Sequence, residues 1–198
     1  GGSRSVTTQA NVTLTAVAAM IEGFSAFLAE EMGVEPGEVR FDDERFRAEG
    51  SNLTPTMLEA AALARATGRD DLLTWSARDK IQARSYPNGA HFAEIEIDRE
   101  TGVAEVVKYT VVDDFGNLIN PMLAEGQVHG GVAQGLGQAL CEQTVFDEDG
   151  QLLNGSMADY LVPMAGEMPD MQIGHVETPT GESELGAKGA GEAGTAGA

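Results

Sequence analysis

At 198 residues with 42% apolar content, the chain is long enough to bury a core and too apolar to be a disordered acidic polymer. Thirty-two acidic residues against 12 basic ones give a net charge of −20, which argues against nucleic-acid and membrane-surface partners because both are anionic. The single cysteine, Cys141, excludes an intrachain disulfide and a cysteine-only metal site.

The sequence opens on Gly1-Gly-Ser-Arg-Ser5, small and polar, ahead of a helix-like segment. Two readings stand: a plain N-cap or cloning scar, or an anion cradle built from free backbone N–H groups, Ser hydroxyls and Arg4. No basic-then-apolar leader is present and no apolar run is read as a membrane span, so a cytoplasmic location is expected. From about Asn11 to Met32, Val17, Met20, Ile21, Phe24, Phe27, Leu28 and Met32 recur at helical spacing, and Gly33 ends the helix. The stripe reads as core. A turn at 35–38 leads to a short hairpin over 39–47 around Asp42-Asp43-Glu44. A second helix is expected from Thr54 as cap and Pro55 as first residue to about Thr67. Residues 68–88 are a connection.

At Ala90 the period changes from helical to alternating. Two strands over 90–112 flank the hairpin loop Asp98-Arg-Glu-Thr-Gly102. A turn-rich loop, Asp113-Asp-Phe-Gly-Asn-Leu-Ile-Asn-Pro121, follows, in which the acidic pair reads as a loop cap rather than a catalytic dyad. Met122 to about Gln143 reads as a helix unusually dense in glycine, each costing about 1 kcal/mol relative to alanine. Either another helix packs closely on its glycine face or something bulky lies on its backbone, with Gln127, Gln134 and Gln138 as neutral partners. A hairpin over 146–153, an extended 160–163 and a strand over 173–176 precede the last stretch, Gly186-Ala-Lys-Gly-Ala-Gly-Glu-Ala-Gly-Thr-Ala-Gly-Ala198. That stretch is either a flexible tail or a close-approach loop carrying one carboxylate, Glu192, suited to general-base work. His91, His129 and His175 have no metal-ligand spacing and read as structural or exposed. The order of elements is α+β, with long amphipathic helices on small antiparallel sheets and sub-lobes of about 1–85 and 86–198.

Taken together, residues 1–5, 113–121, 125–135 and 186–194 resemble, in this order, the C-terminal part of the molybdenum-binding large subunit of the xanthine dehydrogenase, aldehyde oxidase and carbon monoxide dehydrogenase family. The resemblance implies that Glu192 falls on the catalytic glutamate and Gln127 on a glutamine that hydrogen-bonds the pterin. It places Gly2, Ser3, Arg4 and Ser5 on the loop lining the pterin and its phosphate, and Gln134 and Lys188 on family-typical cofactor positions. Metal ligands from the chain are not expected. Arg4 is compatible with the cytosine dinucleotide form of molybdopterin found in bacterial members. The implied activity is hydroxylation of an electron-poor carbon of a small-molecule substrate with water-derived oxygen. The implied partners are the remaining molybdenum-binding region, an iron–sulfur subunit or domain and, as a further candidate, an FAD subunit. The chain differs from the family pattern in having Phe115 where cysteine or valine is common, read as a packing change. The family's large subunit is several times longer, so a fragment or split subunit is expected, inactive and without tightly bound cofactor when alone. The alternative is a structural or assembly domain without catalysis.

Overall fold

The computed structural model describes residues 4–198; Gly2 and Ser3, placed by the sequence in the anion cradle, lie outside the described residues. The chain divides into two compact units. One is Gln9–Lys80; the other joins the described residues before Gln9 to Ile81–Ala198.

In the first unit, helix α1 (Ser5–Met32, entering this unit at Gln9) supplies the largest share of the core. Phe24, Phe27, Leu28 and Ala29 are buried with Phe46 of a hairpin and Ala60 and Ala64 of helix α2 (Met57–Ala66). The hairpin pairs β1 (Arg40–Asp42) with β2 (Arg45–Arg47), and its turn holds Asp43 and Glu44 at positive φ. α1 also corrects an expectation. It is long and apolar enough to cross a membrane by length and composition, because charge is absent from Ser5 to Ile21. Phe24, Phe27, Leu28 and Ala29 of the same helix are buried in the core, whereas most of Ser5–Ile21 is not. α2 begins later than expected: Thr56 is the cap, accepting from the Glu59 N–H at 3.2 Å, while the Pro55 carbonyl accepts from Phe46 of β2.

In the second unit, β3 (Asn88–Ile97) and β4 (Ala104–Asp114) form the expected hairpin, with the Asp98 carboxylate accepting from Glu100 and Thr101 in the turn. The third strand, β5 (Met171–Val176), runs parallel to β4 rather than antiparallel, so this sheet is mixed. The connection between them is long and carries helix α3 (Pro121–Leu140), as a parallel crossover requires. α3 buries Val128, Val132 and Leu136 against Val106, Tyr109, Val111 and Phe115 of β4 and its exit. The expected hairpin over 146–153 reduces to one bridge, Phe146 to Leu152.

The Gly/Ala stretch is neither a tail nor an open loop. Residues 186–189 are buried, and a short helix, α4 (Ala193–Gly197), packs on α3. Two of its five residues are glycine, and a helix of barely more than one turn is not stable by itself. What holds it is backbone contact with α3: a Cβ on Gly131 would lie 2.9 Å from the Gly194 Cα, and one on Gly194 would lie 2.6 Å from the Val132 nitrogen.

Candidate cofactor site

The start of α3 is fixed by Asn120, whose side chain accepts from the Leu123 N–H at 3.1 Å, with Pro121 in the first turn. The loop before it doubles back at Gly116, with φ +64, and joins the Gly/Ala stretch. The Asn117 side-chain amide donates to the Leu185 carbonyl at 2.9 Å, and the Lys188 N–H to the Phe115 carbonyl at 2.7 Å. Between this loop, the first turns of α3 and residues 187–191 lies a cleft of about 410 Å³. Gln127 and Ser5 both line it, so the structure brings together two residues 122 positions apart that the sequence assigned to one site.

The glycines of α3 split between the two readings made of them. Gly131 and Gly135 face the backbone of α4, which is close helix packing. Gly126 and Gly130 have no atom within 4 Å of where a Cβ would stand, so that face leaves bare backbone open to a ligand.

Lys188 does not present its ammonium to the cleft. It is 8% exposed, and its Nζ donates to Asp114 Oδ2 at 2.6 Å and to Thr178 Oγ1 at 2.8 Å. Asp114 also accepts from the Gly116 N–H at 2.8 Å and the Thr178 N–H at 3.1 Å, and from the Thr178 hydroxyl. Burial alone would raise its carboxyl, but Lys188, Thr178 and the two backbone donors outweigh burial and hold it well below the usual range. The aspartate is thus a loop cap, as read, and also the counter-ion of Lys188. Among the assigned cofactor residues, Lys188 is the one whose charge is engaged inside the protein.

Glu192 is the N-cap residue of α4, with its carboxylate exposed and its carbonyl accepting from the Ala196 N–H at 3.1 Å. It stands between two further cavities. One, of about 250 Å³, is shared with Arg4, Arg84 and Ser85. The other, of about 300 Å³, is shared with His91 and Asp113. Gln134 does not line these cavities; its Oε1 accepts from Thr195 Oγ1 at 2.9 Å, so it steadies α4 from α3.

The sequence reading passed over the second of these walls. His91 is held by Tyr109 (Nδ1 to OH 2.9 Å) and Asp113 (Nε2 to Oδ1 3.2 Å). Burial pushes the Asp113 carboxyl up, with His91 pulling it partly back, and burial together with the Asp113 charge raises the Tyr109 hydroxyl. The residues carried a signal only as a register: His91 lies opposite Val111 and Gly89 opposite Asp113, which sets them on one face of the hairpin.

The donor set fits a large heterocycle with hydrogen-bonding edges and an anionic tail. A neutral amide and a hydroxyl line the main cleft, a bare glycine backbone lies beside it, and two guanidinium groups line the adjoining cavity.

Residues 1–169 match the family described as molybdopterin cofactor-binding domain. The carbon monoxide dehydrogenase large chain of Afipia carboxidovorans is 32% identical over 200 aligned residues, covering 96% of this chain and 24% of that one. A subunit of the 6-hydroxypseudooxynicotine dehydrogenase complex of Paenarthrobacter nicotinovorans is 31% identical, covering 97% and 25%. Among solved structures, a Cu,Mo-CO dehydrogenase superposes with a TM-score of 0.78 at 32% identity, over 98% of this chain and 25% of that one. Quinoline 2-oxidoreductase from Pseudomonas putida 86 does so with a TM-score of 0.74 at 28% identity, over 98% and 26%. The chain therefore spans about a quarter of the relatives it matches.

Proposed function

This chain belongs to the molybdopterin cofactor-binding domain family of molybdenum oxidoreductases, and we propose that it forms the C-terminal side of the active site of a molybdenum hydroxylase. The complete enzyme oxidises an electron-poor carbon of a small molecule. When bound, the cofactor supplies the two-electron chemistry. Gln127 offers its amide to the edge of the pterin in the main cleft. Arg4 and Ser5 would meet its phosphate, and the cytosine dinucleotide form suits the added positive charge of Arg84. Lys188 acts from behind, tying the segment that leads to Glu192 onto Asp114. Glu192 is the general base, its exposed carboxylate free of any cap hydrogen bond and able to take a proton from the reacting oxygen. An iron–sulfur partner and, in a three-part complex, an FAD subunit would be the electron acceptors of the complete enzyme.

The observation that carries this reading is the continuity of the site. The segment 187–191 lining the Gln127 cleft runs directly into Glu192, so amide partner and carboxylate sit on one scaffold. Glu192→Gln in the complete enzyme is expected to keep molybdenum and lose at least about 10²–10⁴-fold in kcat, because the amide cannot accept a proton. Turnover within about threefold of wild type at equal molybdenum content would assign the chain to an assembly role instead.

A further inference from the structure

We propose that His91 is a positioning residue for Glu192: clamped between Tyr109 and Asp113, its ring is the seat against which helix α4 fixes the carboxylate. The inference rests on reading Glu192 as the base, and its test separates the two.

The clamp is built. Both ring nitrogens are engaged, the ring meets Tyr109 edge-on at 5.8 Å between centroids, and the side chains of His91 and Asp113 are 7% and 2% exposed. Asp113 Oδ2 is buried with no hydrogen-bond partner, so His91 is the side chain that holds this carboxylate, at Oδ1. A buried acid left half satisfied is poor design for stability alone. It is understandable if the ring it holds has to stay in one orientation. Gly197 lies against the ring: a Cβ there would fall under 3.0 Å from Cγ, Cδ2 and Nδ1. α4 therefore touches the imidazole at its last residue, while the residue that caps its first turn is Glu192. The same helix is pressed onto α3 at Gly194 and tethered there through Thr195 and Gln134. α3 sets where α4 lies; the ring blocks it from pivoting on that contact. The cavity of about 300 Å³ lined by His91, Asp113 and Glu192 is the space across which ring and carboxylate face the same volume. Since misplacing a catalytic group by about 1 Å can cost on the order of 10²-fold, a five-residue helix needs such a stop.

The experiment uses the complete enzyme with four variants: His91→Gln, Gly197→Ala, both together, and Glu192→Gln. Gln at 91 keeps a donor for Asp113 but replaces a rigid plane with a flexible chain; Ala at 197 leaves the clamp intact and pushes α4 off it. Each of these two single changes is expected to lower kcat about tenfold or more with KM within about twofold, at unchanged molybdenum content, and to speed amide exchange of residues 193–198. In the double variant the flexible Gln yields to the new methyl, so the losses combine to less than their product. Singles with kcat and exchange within about twofold of wild type, or losses that multiply in the double, overturn the seat. If His91→Gln fails to accumulate, Gly197→Ala alone decides between those outcomes. Full turnover in Glu192→Gln removes the catalytic reading, while amide exchange in the other three still decides whether His91 seats α4.

Discussion

At the scale of single residues, two adjacent aspartates were given opposite tasks by what surrounds them. Asp114, held low by Lys188, Thr178 and two backbone donors, contributes stability that is complete above the ordinary carboxylate range, about pH 4. That stability is lost as pH falls toward the depressed folded value. Asp113, raised by burial, works in reverse, since its ionisation costs stability as pH climbs from about 4 toward the raised folded value. Asp114→Asn leaves the Lys188 ammonium buried without a counter-ion and should cost about 3–5 kcal/mol in urea unfolding at neutral pH. Asp114→Asn with Lys188→Met should recover much of that, and should lose less stability than wild type below about pH 4. A double variant as unstable as the single would mean that the pair is not the element that ties residues 186–189 down. None of this was readable from Asp113-Asp114 in the sequence, because Lys188 and Thr178 come from 74 and 64 residues away.

At the scale of elements, what could be read was what is local. The turn at 98–102 carries its own Asp cap, and Gly33, at φ +71, closes α1 where the stripe of Phe and Met ends. The direction of β5 could not be read, since nothing within Met171–Val176 records that its partner is β4. α4 could not be read either, because two glycines in a five-residue helix leave it little stability of its own, and contact with α3 supplies the rest. The amide and carboxylate proposed for the site, Gln127 and Glu192, were singled out through a family resemblance. The clamp of His91 was not, because it depends on strand register and burial. The two classes of glycine on α3 yield a paired expectation. Gly131→Ala should destabilise the chain by about 1–3 kcal/mol, as the new methyl meets Gly194 and Thr195 backbone. Gly126→Ala should stabilise it by up to about 1 kcal/mol, since open space receives the methyl and the helix gains. Thermal melts of both variants check this, and equal effects would dissolve the distinction between a packing face and an open one.

At the scale of the whole molecule, this chain alone is expected to hold no molybdenum cofactor tightly and to oxidise nothing. Its main cleft is open, and hydrogen bonds exposed to water contribute only about 0.5–1.5 kcal/mol each. A net charge of −20 also opposes an anionic ligand. Metal analysis of the purified chain from a host that makes the cofactor tests it; stoichiometric molybdenum with dye-linked turnover would place the whole site within these residues. The single tryptophan, Trp75, donates to the Leu72 carbonyl and stands so close to Gly23 that a Cβ there would meet its ring. All of that belongs to the unit of residues 9–80. Tryptophan emission, excited at wavelengths where the three tyrosines of the other unit do not absorb, is therefore a one-sided reporter. A denaturation curve followed by emission follows the unit without Glu192, and one followed by far-ultraviolet dichroism weighs both. If the units melt separately the two curves part, and a variant at Lys188 or His91 moves the second while the first stays in place.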